Sequence, residues 1–440
     1  MKIEITVSQL KCDAQNEITI DLSASNGVGG QVKIDFANLL QFAKVSSPVS
    51  FDFFVISTCV YGVDRLIKRR KNSVDGWSRE LKIKFPVSVP SKWQTQKRQL
   101  DQLLSFLTGD YWEVEFYKSN FSLPKAVLNP HFEGIFEQVN LFSGGLDSLI
   151  GAIDFLKANP KKRILFVSHY DPQMHGPKGD QEVLLHKIRE RYPDQFSSIP
   201  SARIYLDHSN DSKETTFRSR SILFMGIALL VAEAKGIDII VPENGTVSLN
   251  YPLSPSRRSA CSTRTTHPTL FLGIQKLWND LAVKSLLTNP YELKTKGEMV
   301  NGCKDQVLLK ELVSLSNSCG KRGHRVHWDE PGATHCGVCM PCIYRRSALL
   351  VIQDKKTTYG SELNSLFPFQ TKKGQDASAC LDYLKKEIGK KEIRQELFIN
   401  GLKDISKINS YINLIERTRN ELKQWIATVG NRQIKSKAGL

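Results

Sequence analysis

Apolar and polar residues alternate with a period of two through much of the first 135 residues, the pattern of half-buried strands. Lys2–Val7, Glu17–Leu22, Ser50–Cys59, Glu80–Val89 and Tyr111–Tyr117 are rich in β-branched and aromatic side chains and read as strands. Trp112, Val114 and Phe116 alternate with Glu113 and Glu115, so that strand has one buried face and one wet face. A single helical stripe, Leu100, Leu103, Leu104 and Leu107, ends at Gly109. Gly27, Gly29, Gly30, Gly62 and Gly76 read as turn positions. The pattern predicts a small α+β domain over 1–135, with its tryptophans and phenylalanines in the core.

From Phe136 the periodicity changes. Strand-like runs Glu137–Phe142, Arg163–Tyr170, Ala202–Leu206 and Ile237–Val241 alternate with helix-like runs Asp147–Ala158, Gln181–Tyr192 and Phe217–Lys235. Strands alternating with helices of that length predict βαβ crossovers and a parallel sheet covered on both faces. Ligands of such sheets sit where strands pass into loops at their carboxyl ends. After about residue 370 the chain is lysine-rich and helical, with a long helix expected over Ser406–Ala427. The expected units are therefore 1–135, 136–370 and 371–440.

Composition narrows the class. The 440 residues are too many for one ordinary domain, and 40% hydrophobic with 24% charged residues excludes wholesale disorder. The longest apolar stretch, Ile222 to Ala232, is about half a bilayer span and contains Gly226, so it predicts a buried helix rather than a membrane anchor. The opening MKIEITVSQL has no apolar signal-peptide core, and the nine cysteines are an odd number. Both predict a reduced, cytoplasmic protein without a membrane partner.

The net charge of +16 favours an anionic partner. Its distribution matters more than its size. Residues 1–135 carry 17 basic against 14 acidic residues, 136–370 carry 29 against 23, and 371–440 carry 15 against 8. The excess is densest in the C-terminal segment, so nucleic acid is permitted but not required. The run Lys68-Arg69-Arg70-Lys71 reads as a solvated face, with RNA binding the sharper alternative.

The chemistry begins at the end of the first central strand. Phe142-Ser143-Gly144-Gly145-Leu146-Asp147-Ser148 leads at once into a helix. Two glycines let the backbone approach a phosphate, and free amides at the helix start supply donors and a positive dipole end. Ser143 and Ser148 add hydroxyls, and Asp147 can hold a Mg2+ ion bridging phosphates. No Walker lysine follows. Later, Cys336-Gly337-Val338-Cys339-Met340-Pro341-Cys342 brings three thiolates within reach of one tetrahedral metal, by default Zn2+. Cys319 is the expected fourth ligand, with Cys303, His324, His327 and His335 as competitors and an iron–sulfur cluster as the minor reading.

The string Ser-Gly-Gly-x-Asp-Ser at a strand-to-helix turn resembles the PP-loop of the ATP-pyrophosphatase (adenine nucleotide α-hydrolase-like, HUP) superfamily. Together with the late Cys-Gly-x-Cys-x2-Cys it is similar to the 7-cyano-7-deazaguanine synthase (QueC) family, over roughly Phe136 to Asp354. The resemblance implies an α/β parallel-sheet PP-loop domain with a zinc-binding insertion, flanked by the N-terminal α+β domain and a helical C-terminal tail. It implies ATP binding by Phe142, Ser143, Gly144, Gly145, Leu146, Asp147 and Ser148, with Ser143, Asp147 and Ser148 in the chemistry, and zinc held by Cys319, Cys336, Cys339 and Cys342. Family members activate the carboxylate of 7-carboxy-7-deazaguanine as an adenylate, and ammonia and a second activation then give the nitrile.

Arg218, at the start of the third central helix, sits where the family has an arginine. His169, at the end of the second strand, is where such proteins contact adenosine; a structural histidine is the competing reading. Glu243, Asn244, Arg264 and His267 either read a guanine-like edge and hold phosphates or simply cap loops. The block Pro242–Thr246 and the later Ser262–Pro268 depart from the plain nitrile synthases. Cys261 is weak evidence for sulfur transfer, and Arg257 and Arg258 read as solvated.

The departures, with the long N-terminal region and the basic tail, resemble the QueC-like proteins of anti-phage defence, those of the Qat system and of type IV CBASS. That likeness implies an ATP-dependent C–N ligase joining a 7-deazaguanine carboxylate to an amine, the N-terminus of a partner protein from the same operon. The region 1–135 would then grip that partner. The alternatives are a free-standing nitrile synthase, a tRNA-modifying adenylase, and a zinc-stabilised binding subunit with an idle ATP site.

Overall fold

The computed structural model describes residues 2–125, 128–174, 176–200, 202–208, 214–215, 218–253 and 264–440. Strands β1 (Ile3–Cys12), β2 (Glu17–Ala24) and β3 (Gly29–Asp35) form an antiparallel meander. Their alternation buries Ile3, Ile5, Ile18, Ile20, Val32 and Ile34 on one face. Strand β4 (Glu80–Val87) pairs parallel with β1, and β5 (Tyr111–Lys118) pairs parallel with β4. Strand β3 is absent from the sequence reading, because Gly29 and Gly30 look like a turn.

The segment Ser50–Cys59, expected as a strand, lies instead within the helix Pro48–Leu66. Ser47 caps that helix through the amide of Ser50, and Pro48 occupies its first turn. Seventeen of its 19 residues are buried, so no polar face exists to print a helical period on the sequence. Burial overrides the strand propensity of its phenylalanines, valines and isoleucine. Gly62, expected in a turn, lies inside this helix, where a Cβ would meet Val32 Cγ2 at 2.4 Å. The missing side chain lets the helix lie directly against Val32 and Leu22 of the meander.

Seven further strands follow. They are β6 (Gln138–Leu141), β7 (Ile164–Val167), β8 (His169–Tyr170), β9 (Phe196–Ser198), β10 (Ala202–Asp207), β11 (Asp238–Ile240) and β12 (Leu287–Thr288). Five of them form a parallel sheet in the order β12-β11-β6-β7-β9. Strand β10 does not join it. It pairs antiparallel with β3 and parallel with β8, giving a seven-stranded mixed sheet in the order β5-β4-β1-β2-β3-β10-β8. The chain is therefore an α/β protein whose mixed sheet is built from both sides of residue 135.

The helix Arg220–Lys235 seals that union. Ile222 to Ala232 is buried throughout, and Gly236 ends the helix in the left-handed conformation at φ +66°. A Cβ at Gly226 would sit 2.2 Å from Ser57 Oγ of the helix Pro48–Leu66. Val32, Phe54, Leu141 and Leu229 belong to one continuous core. Residues 1–135 thus share a sheet and a core with the central region.

The C-terminal helices Gln375–Lys385, Lys390–Ile399, Ile408–Val429 and Arg432–Ala438 fold back over the helix Met340–Leu349. Leu249, Met340, Ile343, Ile415 and Trp425 form their common core. Among the described residues no helix is long and apolar enough to cross a membrane.

Candidate functional site

Strand β6 ends at Leu141, and the helix Leu146–Ala158 starts five residues later. Phe142 is fully buried and its amide donates to the Val167 carbonyl at 2.8 Å, which fixes the exit of the strand. Gly144 takes φ +81°, and a Cβ there would come within 3.4 Å of Gln181 and Asp180. Only glycine adopts that conformation without strain. Ser148 Oγ donates to the Gly145 carbonyl at 2.9 Å and lies 3.3 Å from Ser143 Oγ. Ser143 Oγ also accepts from the Gly145 amide at 3.3 Å. The seven residues Phe142 to Ser148 make one tight strand-to-helix turn with its hydroxyls gathered together.

Asp147, in the first turn of that helix, is buried and surrounded by polar partners. Lys296 Nζ pairs with Oδ1, and Asn244 Nδ2 donates to Oδ2 at 2.7 Å. Asn244 Oδ1 meanwhile accepts from the Val247 amide at 3.0 Å, capping the helix Gly245–Leu249. Burial pushes the Asp147 carboxyl up, but the Lys296 charge and the hydrogen bonds of Glu243, Lys296 and Asn244 outweigh it. Asp147 is held below the ordinary carboxylate range. Burial, and then the adjacent Asp147 charge, push Glu243 well above that range. Burial and the shared partners thus pull the two carboxyls apart, Asp147 downward and Glu243 upward.

Sequence reasoning misses Lys296. It is the first residue of the helix Lys296–Asn301, where a cation opposes the helix dipole. The signal is present in Thr295-Lys296-Gly297-Glu298, a capping box in which Thr295 and Glu298 each bond the other's backbone. Glu421, from the helix Ile408–Val429, accepts from Thr295 Oγ1 and from the Gly297 amide. The basic C-terminal segment thereby holds the lysine in place.

A cavity of about 370 Å3 opens at this cluster, lined by Ser143, Asp147, Glu243 and Lys296 together with Pro341 and Tyr344. A second, of about 260 Å3, shares Ser143, Ser148, Pro242 and Glu243 and extends to Arg220, Phe224 and Thr266. The two meet at the loop.

The sulfur atoms of Cys319, Cys336, Cys339 and Cys342 lie within 4.8 Å of one another. Backbone amides point at them: Cys336 N donates to Cys319 Sγ at 3.3 Å, Cys339 N to Cys336 Sγ at 3.2 Å and Lys321 N to Cys319 Sγ at 3.4 Å. Such donors stabilise thiolates, and four soft ligands at this spacing could hold a metal ion such as zinc. The expected fourth ligand, Cys319, is in the cluster. Its competitors are outside the cluster: Cys303 is buried near Asp305, His324 and His327 stack on each other at the exposed surface, and His335 is buried with Nδ1 2.9 Å from Thr334 Oγ1.

Four other expected residues are not brought to the cavities. Arg218 lies over the Trp77 ring at 4.7 Å and donates to the Thr108 carbonyl. Arg220, two residues on and the first of its helix, is the arginine that lines the second cavity. His169 is fully buried, with Nε2 3.1 Å from the Ile204 carbonyl. His267 caps the helix Pro268–Asp280 through the Thr269 amide at 3.2 Å, and Arg264 covers the Phe106 ring at 4.4 Å. The contacts seen here are with rings, backbone carbonyls and a helix start. Arg69, expected as solvated, is buried and pairs with Asp64 and Asp110. Arg257, Arg258, Cys261, Ser262 and Thr263 lie outside the described residues. Comparison with family models, curated proteins and solved structures finds no match for this chain.

Proposed function

We propose that the chain is a QueC-like PP-loop ligase that uses ATP to adenylate a 7-deazaguanine carboxylate and joins it to an amine. The observation that carries this reading is the glycine turn with a buried Asp147, paired to Lys296, lining an open cavity. In the first step a carboxylate oxygen attacks the α-phosphorus and pyrophosphate leaves. In the second the amine attacks the acyl carbon, loses a proton and releases AMP.

The residues divide that work. The hydroxyls of Ser143 and Ser148, at the start of the helix Leu146–Ala158, would cradle the leaving pyrophosphate, with the Gly145 and Leu146 amides held in place by Ser143 Oγ and Ser318 Oγ. Asp147 and Glu243 are the oxygen donors that would hold Mg2+, which when bound neutralises phosphate charge. Their chemistry fits: both carboxyls line the cavity and share Asn244 as a hydrogen-bond donor, and a divalent charge would offset the burial that raises Glu243. Lys296, freed from Asp147 at that moment, would turn its ammonium toward the phosphates. The four cysteines hold zinc in a structural role, because four thiolates leave no open position for chemistry.

The acceptor is proposed to be the N-terminus of a partner protein in phage defence. The full chain is incubated with ATP, 7-carboxy-7-deazaguanine and the proteins encoded beside it, and intact masses are recorded. A partner gaining the mass of the base acid less one water supports the ligase. Free nitrile with no protein adduct contradicts it in favour of a nitrile synthase.

A further inference from the structure

The two chemistries of the molecule touch at one dipeptide. Asn317 and Ser318 immediately precede Cys319 and lie against the glycine turn. The Asn317 amide donates to the Gly144 carbonyl at 2.9 Å, and Ser318 Oγ accepts from the Leu146 amide at 3.3 Å. A Cβ on Gly145 would lie 3.6 Å from both Asn317 O and Ser318 Oγ, so the segment fills the space beside the turn. In the other direction the Asn317 side chain is tied to the cysteine knuckle. Its Oδ1 accepts from the Cys319 amide at 2.9 Å, and its Nδ2 donates to the Thr334 carbonyl at 3.0 Å, two residues before Cys336.

A second brace comes from the same loop. Arg322, three residues after Cys319, pairs with Asp180, and Asp180 and Gln181 pack against Gly144. Gln181 Nε2 donates to the Ser143 carbonyl at 3.3 Å. The Gly144 conformation, at positive φ with no side chain, is easily flipped when unbraced. Its carbonyl and the next amides stay oriented because the cysteine loop holds them.

We propose that Ser318 is a positioning residue through which a metal at the four cysteines sets the phosphate affinity of the Ser143–Ser148 turn. This rests on the phosphate-loop reading above. Metal bound at Cys319 fixes the residue next to it, and Ser318 passes that constraint to the Leu146 amide. Coupling of binding sites is reciprocal, so phosphate at the turn must in return perturb the metal centre.

The test uses the full chain loaded with cobalt(II), whose thiolate absorption reports the centre directly, titrated with magnesium pyrophosphate. Wild type is expected to bind and to shift its cobalt spectrum on saturation. Ser318→Ala is expected to load one cobalt with an unchanged ligand-free spectrum, to bind pyrophosphate about tenfold more weakly, the worth of one hydrogen bond, and to lose the shift. Ser318→Thr restores both. Unchanged or tighter pyrophosphate binding by Ser318→Ala with the shift intact overturns the inference, as does failure of that variant to load cobalt. If wild type itself does not bind pyrophosphate, the phosphate-loop reading falls and takes this one with it.

Discussion

Lys296 and Asp147 form a buried ion pair between the first turns of two helices, with both side chains under a tenth exposed. A cation at a helix start opposes the dipole and an anion there is favoured, so the pair offsets at Lys296 what it gains at Asp147. Removing one partner leaves the other charged and unpaired in the interior. Lys296→Met is therefore expected to cost about 3–5 kcal/mol in urea unfolding. Adding Asp147→Asn to that variant removes the stranded charge and should recover most of the loss. A double variant no more stable than Lys296→Met would show that the pair does not carry the effect.

Stability should fall on mild acidification because buried histidines, His169 and His267 among them, are held neutral. Burial, and then the Arg220 charge, lower His169 to about 3. Burial, and then Arg264, lower His267 to about 3. A depressed histidine takes up its proton in the unfolded chain near pH 6.5 but not in the folded one, so stability drops as pH falls through that window and levels near pH 3. Each histidine contributes a slope of about 1.4 kcal/mol per pH unit. Urea midpoints between pH 7 and 5 check this. His169→Gln should flatten the slope, and an unaltered slope would contradict the assignment.

Gly62→Ala tests the packing of the helix Pro48–Leu66 on the meander. Its Cβ would meet Val32 Cγ2 at 2.4 Å and Leu22 Cδ1 at 2.7 Å. Overpacking of this kind costs about 1–3 kcal/mol. A turn glycine at that position would instead accept alanine with little change in melting temperature.

The cysteine cluster should retain one equivalent of zinc per chain through gel filtration, measured by elemental mass spectrometry. Cys339→Ser is expected to lose the metal and to lower the melting temperature. Cys303→Ser should keep the metal, because that thiol lies outside the cluster.

Much of the site is legible in the sequence because its parts are contiguous. The turn Phe142–Ser148 and the knuckle Cys336–Cys342 are each local, and their spacing alone dictates their geometry. Lys296 is hidden because it reaches Asp147 across 149 positions. Arg218 and Arg220 are both arginines beside one helix start, and only the position of that start, at Arg220, decides which one the helix carries to the cavity. Ser50–Cys59 misleads for a different reason: a helix buried on all sides carries no amphipathic period. Strand β10 reads correctly as a strand, but nothing local says that it pairs with β3 across the expected boundary at 135. The basic tail looks remote along the chain, yet Glu421 braces the capping box beside Lys296.

The measurement that bears most directly on the central claim is release of AMP and pyrophosphate from ATP, with and without 7-carboxy-7-deazaguanine. The ligase reading predicts release that depends on the carboxylate and falls by about a hundredfold or more in Ser143→Ala and Asp147→Ala, both with zinc retained. Release that ignores the carboxylate, or that survives in both variants, would contradict it.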